Sequence, residues 1–485
     1  MSLILHPSVR LKKNKHRNLI YTVDEFFNEP NNIDPISPSM AIFLTMFDGI
    51  KPYEQVLQEF FYVTSNEDSP ENKKFLEDQL RFIEKEVLRI NHLLIDISER
   101  DQLGYKIVSY SPEDFIIPRE EIDIRPYDKR IDFPLSINYN VSTNCSFKCR
   151  YCYHPRSKLD EYISLERLKN LFDELKMNGC ENITLSGGDP FERPDLIALI
   201  KELHDRELNY FLSTKSYLDR EVCQQLVDVG LTKMQISLDA ADPQIASFLV
   251  GGKANYFENT IETVKNLQKL KVEVRLKAVV CNQNALFLKE YLELCRQLEV
   301  SRVHLVQYGR SLWCHNDDLF PNQEKMKIAN ATIDEFKAKY SSPKIIGGSY
   351  QYSIIDQTGS RNGNEDIFKD RSICNAGRFA LTLLPNGEVI VCEQLGYDPE
   401  VILGDLRTQT IEELWNSEKM EKWLSPPPRE TFNSDSPCYF CKGELYQKCH
   451  RMYSRCLRDS FNYFQNLNSP DIRCKLASVG NFRIS

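Results

Sequence analysis

Between residues 134 and 310 the chain repeats one pattern six times. Apolar, strand-like runs fall at 135–141, 182–186, 209–213, 232–238, 272–280 and 301–307. Amphipathic stretches of helical length lie between them, near 164–178, 195–207, 219–229, 256–270 and 286–298. Strands that alternate with helices of this length pair in parallel, because a parallel crossover needs a dozen or more residues and a helix supplies them. The pattern predicts an α/β fold whose parallel sheet curves into a partial barrel. Functional loops are then expected at the carboxyl ends of the strands.

The cysteines constrain the chain next. There are 15, an odd number, and the start Met-Ser-Leu-Ile-Leu-His-Pro lacks the layout of a signal peptide. No stretch approaches the roughly 18 apolar residues of a membrane span. A cytosolic location is therefore expected, where thiols stay reduced and a disulfide framework is out of place. Cys145, Cys149 and Cys152 share one loop directly after the strand Ile137–Val141. Cys374, Cys392, Cys438, Cys441, Cys449, Cys456 and Cys474 crowd the last part of the chain, where regular periodicity is sparse. Metal or cluster ligation is the natural reading, since ligation replaces much of a small domain's core. Cys180, Cys223, Cys281, Cys295 and Cys314 read as small buried hydrophobes. The net charge of −9 argues against broad nucleic-acid binding.

Residues 1–96 form a separate unit by pattern. Val9, Leu11, Leu19, Tyr21 and Val23 alternate as in a strand pair. Ser37-Pro38 opens a helix that Asp48-Gly49 stops, and a second helix follows Pro52. A long third helix carries a stripe of Leu76, Leu80, Ile83, Val87, Ile90 and Leu94. Strands followed by three helices predict a winged-helix-like module. Residues 97–133 read as a linker or wrapping segment, and 311–370 as a bridging region with few strong signals.

Three thiolates on one loop can hold three irons of a cubane and leave the fourth open. The Cys145-x3-Cys149-x2-Cys152 spacing resembles the radical S-adenosylmethionine (SAM) superfamily. The resemblance implies a partial (β/α)6 radical SAM barrel in which the open iron binds SAM. An electron then cleaves SAM to methionine and a 5′-deoxyadenosyl radical. Supporting segments stand in family order. Ser186-Gly187-Gly188-Asp189-Pro190 is similar to the GGEP-type motif, with Asp189 for the commoner Glu. Ser213-Thr214-Lys215 stands where the family often has Thr-Asn-Gly, and Ser237-Leu-Asp239 matches its SxD pattern. The arginine that often follows is absent, since the place reads Leu249-Val250-Gly251. Arg275 and Lys277 are candidate substitutes. The resemblance implies cofactor contacts from Tyr151, Ser186, Gly187, Gly188, Asp189, Ser213, Ser237, Asp239 and Arg275. No catalytic acid or base can be named.

The seven late cysteines resemble the SPASM extension of radical SAM peptide-modifying enzymes. Pro385-Asn-Gly387 forms a hairpin turn between the first two, and Leu403-Gly-Asp-Leu406, Trp415 and Cys438-x2-Cys441 match its pattern. Carried over, Cys374, Cys392 and Cys456 hold one auxiliary 4Fe-4S cluster, and Cys438, Cys441, Cys449 and Cys474 a second. The first then has an open iron or an unidentified fourth ligand. A zinc knuckle or zinc ribbon is the plainer alternative for either group. The front unit resembles a PqqD-like RiPP recognition element, through Pro7–Leu11, Leu19–Tyr21 and Met46–Gly49. The basic run Arg10–Arg17 keeps a DNA-binding winged helix open.

Together these resemblances imply a chain with a leader-recognition domain at 1–96, a linker at 97–133, a barrel at 134–310, a bridge at 311–370 and a SPASM domain at 371–485. They imply an enzyme that modifies a precursor peptide with SAM and three clusters, helped by a reducing partner such as flavodoxin or ferredoxin. The expected product is a thioether between a cysteine sulfur and a carbon. Carbon–carbon crosslinking, epimerisation and a sulfatase-maturase-like role are alternatives, and a metal-binding regulatory scaffold is the non-enzyme one.

Overall fold

The computed structural model describes residues 2–105, 107–122, 130–155, 161–348, 350, 354–355, 374–396, 399–452, 455–474, 476–477, 479 and 482–483. Of the bridging region, 349, 351–353 and 356–370 lie outside the described residues, as do 371–373 that follow it. The chain divides into two compact units, Met1–Ser136 and Ile137–Ser485.

The first unit contains two antiparallel three-stranded sheets. One is ordered β2 (Val9–Asn14), β3 (Arg17–Val23), β4 (Pro30–Ile36). The other is ordered β5 (Asp48–Pro52), β1 (Ser2–Leu5), β6 (Leu94–Asp96). The expected strand pair is present, with Leu11 opposite Ile20. Helix α1 (Pro38–Thr45) starts as its sequence demands: the Ser37 hydroxyl accepts the Met40 N–H, and Pro38 occupies the first turn. Helix α2 (Tyr53–Val63) follows Pro52, and α3 (Pro70–Phe82) is capped by Ser69. Phe43, Leu44, Val56, Leu57 and Phe60 are buried at the centre of this unit.

The third helix is shorter than its apolar stripe suggests. It ends at Phe82, widens into a π-turn at Ile83–Val87, and Arg89 takes φ +55°. The Glu84 carboxylate accepts the Leu93 N–H at 2.8 Å, so the chain turns back and Leu94 opens strand β6 instead of a helical turn. The segment 97–133 wraps the unit where it is described. Phe115 enters the core, Asn18 donates to the Phe115 carbonyl at 2.8 Å, and the Asp132 N–H donates to Asn14.

In the second unit the six expected strands are β7 (Ser136–Ser142), β8 (Asn182–Gly187), β9 (Tyr210–Thr214), β10 (Lys233–Ser237), β11 (Glu273–Val280) and β12 (Arg302–Gln307). The five expected helices are α4 (Leu165–Met177), α5 (Leu196–Asp205), α6 (Arg220–Asp228), α8 (Tyr256–Lys269) and α9 (Leu288–Gln297), and short α7 (Pro243–Leu249) intervenes. A further helix, α10 (Gln323–Lys339), leads to β13 (Lys344–Gly347), which adds to β12 as another parallel strand. This element falls in the stretch read as a bridge. Its four-residue edge strand has no alternation to reveal it.

One sheet runs β13-β12-β11-β10-β9-β8-β7-β15-β16-β17, where β15 (Ala380–Leu383), β16 (Glu388–Ile390) and β17 (Ile402–Asp405) belong to the cysteine-rich part. Ile354–Ile355 (β14) pairs with Phe482–Arg483 (β18). Successive residues point to opposite faces. Met234, Ile236, Leu276, Ala278, Val303 and Leu305 are buried on one face. Gln235, Ser237, Arg275, Lys277, Arg302 and His304 alternate with them on the other, so that face is polar. No described helix is long and apolar enough to cross a membrane.

Registered pairs place Ser237, Lys277 and His304 in one row. Burial and the charges of Arg275 and Lys277 push the His304 pKa down to about 4. Unfolded, it titrates near its ordinary value of 6.5. Below that value the unfolded chain takes up a proton that the folded chain refuses until about pH 4, so stability falls as pH drops through this window. At pH 5 the loss from this residue is on the order of 1–2 kcal/mol. His304→Gln should remove that part of the acid limb, measured as the difference in urea stability between pH 7 and pH 5.

Candidate active site

The cluster loop leaves β7 at Ser142 and is held on several sides by backbone. Gly188 N–H donates to the Ser142 carbonyl and Asp189 N–H to the Asn144 carbonyl, both at 2.8 Å. On another side Lys148 N–H donates to Val250 O at 3.1 Å and Arg150 N–H to Leu249 O at 2.9 Å. The Ser311 hydroxyl donates to the Cys152 carbonyl at 3.0 Å. Side chains are excluded from the first seam. A Cβ on Gly187 would stand 2.1 Å from Ser142 O, and one on Gly188 2.0 Å from Asn144 O. Gly187 also takes φ +119°, which disfavours any other residue.

Within this frame Cys145 is exposed, Cys152 half-buried and Cys149 buried. Burial pushes the Cys149 thiol up to about 12, with the charges of Asp239, Cys152 and Cys145 adding to the rise and that of Lys215 opposing it. A bound iron must therefore displace the proton. No three His, Cys, Asp or Glu side chains among the described residues converge on one metal ion. A cubane makes a different demand, because each thiolate binds its own iron and the ligands stand apart. Buried Asn140 lies just upstream on β7. Its Oδ1 accepts the Ser186 hydroxyl at 2.9 Å, while its Nδ2 has no partner among the described residues. The donor set, the glycine seam and this orphaned amide fit a cluster with a polar ligand beside it. Cys145, Cys149 and Cys152 would hold the cluster, which with SAM supplies one-electron radical chemistry.

Several residues expected to touch the cofactor also make contacts within the protein. The buried Asp189 carboxylate accepts Thr214 Oγ1–H at 2.7 Å and the Lys215 and Phe191 N–H groups at 3.1 Å. It braces the loop after β9. Tyr151 donates its hydroxyl to Asp239, whose other oxygen accepts the Val279 N–H at 2.9 Å. These two residues therefore join the cluster loop to β10 and β11. Ser213 accepts Gln235 Nε2–H at 2.8 Å, and Arg275 donates to Gln235 Oε1 at 2.9 Å. The Arg275 guanidinium also lies 5.4 Å from the Phe211 ring. That row is one pleat, about 6.6 Å, deeper than the Ser237–Lys277–His304 row. Ser237 sits at the strand end, and its carbonyl accepts Tyr256 O–H at 2.5 Å.

Sequence reasoning left two contributors without a role. Lys215 follows β9, and its Nζ lies 5.6 Å from the Tyr151 ring. Burial works against its charge, but Asp239, Cys149, Asp189 and Cys145 outweigh burial and hold its pKa above the usual lysine value. The departure from Thr-Asn-Gly was its visible signal. Arg193 is buried and donates to Tyr139 Oη and Asp195 Oδ1, both at 2.6 Å, and to Ile163 O at 3.2 Å. It fixes the strand that carries the cluster loop, and nothing local in the sequence marks it as buried.

The late cysteines fall into two neighbourhoods. The thiol of Cys392 is pushed up to about 12, chiefly by burial and further by Cys374 and Cys456. The thiol of Cys438 rises to about 11 through burial; Cys474 and Cys441 add to the rise, and Arg455 opposes it. Arg455 also feels Cys449. The Cys392 loop is tied to the Cys456 helix by Arg458 donating to Gln394 Oε1 at 2.8 Å, and the Cys456 N–H donates to Asp471 at 2.8 Å.

Residues 139–304 match the radical SAM superfamily, and residues 374–450 match SPASM, an iron-sulfur cluster-binding domain. The chain is a radical SAM enzyme with a SPASM domain. Among curated proteins it is similar to the PqqA peptide cyclase of Rhizobium meliloti, 24% identical over 306 residues, covering 61% of this chain and 78% of the relative. The PqqA peptide cyclase of Rhodopseudomonas palustris is 26% identical over 294 residues, covering 59% and 74%. Streptococcus suis SuiB bound to S-adenosylmethionine shares the fold, with TM-score 0.60 and 13% identity over 98% of this chain and 100% of that one.

The glycine seam gives a direct test. Gly188→Ala should remove the SAM-responsive cluster signal in electron paramagnetic resonance while iron bound by the late cysteines persists, because only the first loop is displaced.

Proposed function

We propose that the chain is a maturase of a ribosomally synthesised precursor peptide. In this reading the first unit holds the leader, and the barrel mouth acts on the core peptide to install a thioether crosslink. The similarity to two peptide cyclases across about 300 residues carries the peptide reading. It favours ring-forming crosslinks over epimerisation and over sulfatase-maturase-like chemistry. The thioether rests on the smaller cysteine group. Cys374, Cys392 and Cys456 offer three thiolates, which leaves one iron of an auxiliary cluster for a substrate sulfur. Cys438, Cys441, Cys449 and Cys474 offer a full set for a second cluster. Carbon–carbon crosslinking is the second reading and also suits a relative named a cyclase.

When bound, SAM and the clusters supply the 5′-deoxyadenosyl radical and a sink for the remaining electron. The protein's part is positional. The backbone seams fix the cluster loop before iron arrives, and the Tyr151–Asp239 pair ties that loop to the end of β10. In the first unit β4 and β5 are sheet edges, each paired on one side only among the described residues. Such an edge takes an extended peptide as an added strand, which supports leader binding by a PqqD-like element. A one-electron carrier such as flavodoxin or ferredoxin would reduce the cluster.

Forming the thioether takes a hydrogen atom from carbon and a proton from the cysteine thiol. The product should therefore be two hydrogens lighter and resist thiol alkylation. Anaerobically reconstituted enzyme with SAM, reductant and the precursor peptide should give this product and 5′-deoxyadenosine. The Cys145→Ala/Cys149→Ala/Cys152→Ala variant should give neither. A product two hydrogens lighter whose cysteine still alkylates would replace the thioether with a carbon–carbon bond.

A further inference from the structure

Family members often place an arginine shortly after the SxD segment. Here that stretch is part of the second seam, and it reads Leu249-Val250-Gly251 with no arginine. A Cβ on Gly251 would lie 2.6 Å from the Lys148 carbonyl, and Gly251 takes φ +92°. Arg275 is engaged with Gln235 and Phe211 one pleat down. Lys277 belongs to the row of His304, on which its charge acts. The cation whose charge reaches both Cys145 and Cys149 is Lys215.

Lys215 is unusually prepared for a ligand. Its Nζ makes no hydrogen bond or ion pair among the described residues, although the side chain is partly buried. Nearby Asp239 and Asp189 offset the cost of burying its charge without taking its N–H donors, which stay open to an incoming anion. Its backbone is braced by Asp189, which binds both the Lys215 N–H and the Thr214 hydroxyl. The backbone that carries this side chain is therefore fixed before any ligand enters, and its Nζ lies beside the Tyr151 ring of the cluster loop. The anion expected beside these thiols is the carboxylate of SAM's amino-acid moiety.

We propose that Lys215 binds the SAM carboxylate by a charge-assisted hydrogen bond, and so takes from the end of β9 the place of the arginine absent after the SxD segment. This deepens the radical SAM assignment and is independent of the peptide reading, because every readout below is taken without peptide. Lys215→Met and Lys215→Arg are reconstituted to the wild-type iron content, and affinities for SAM and for decarboxylated SAM are measured by equilibrium dialysis. Lys215→Met weakens SAM about 10- to 100-fold, as loss of a hydrogen bond to a charged group does. It leaves decarboxylated SAM unchanged. Lys215→Arg keeps most of the SAM affinity, since the charge remains.

Equal weakening of both ligands would overturn the proposal, as would unchanged SAM affinity. If Lys215→Met does not retain iron, Lys215→Gln carries the same comparison. Failure of both neutral variants to load, with Lys215→Arg loading normally, would show that the charge supports the thiolates and not the carboxylate.

Discussion

The close approach of two backbones at Gly187–Gly188 is the contact on which the rest of the site depends. Hydrogen bonds of 2.8 Å to the Ser142 and Asn144 carbonyls exist because no side chain stands between the strands. They place the loop of Cys145, Cys149 and Cys152 against the end of β8. The loop's other side is fastened at Leu249 and Val250. Three thiols on a free loop would lose considerable conformational entropy on binding a cluster. Here most of that ordering is done by the fold itself, which is the meaning of a preorganised site.

The polar face of the sheet follows from the same architecture. Helices cover the face that bears Ile236, Leu276 and Val303, so the intervening residues need not be apolar. Burying a cation there requires partners, and the structure provides them from neighbouring strands: Arg275 with Gln235 and Phe211. Arg193 links the strand before the cluster loop to the segment after the glycine motif.

The SPASM part is continuous with the barrel. Strand β15 adds to β7 in the same sheet. Helix α4 joins in from its outer side: Arg167 donates to the Leu406 and Gln409 carbonyls at 2.6 Å, and Glu174 accepts the Ile411 and Glu412 N–H groups. The start of the cysteine-rich part is thus anchored to the strand that delivers the first cluster loop.

The sequence by itself determined the alternation of six strands and five helices, the helix start at Ser37-Pro38, and the cysteine spacings. Each of these is written in neighbours a few residues apart, as a period, a cap or a loop, and local chemistry suffices to read it. The tertiary structure alone decided where β13 adds to the sheet, why α3 stops at Phe82, and which polar side chains face which. Asp189 and Tyr151 bond Thr214 and Asp239, 25 and 88 residues away, which no local pattern reveals. Lys215 reads as a mere departure until the fold sets it beside Cys145 and Cys149. Such assignments turn on desolvation and pairing between distant segments, quantities that exist only once the chain has closed on itself.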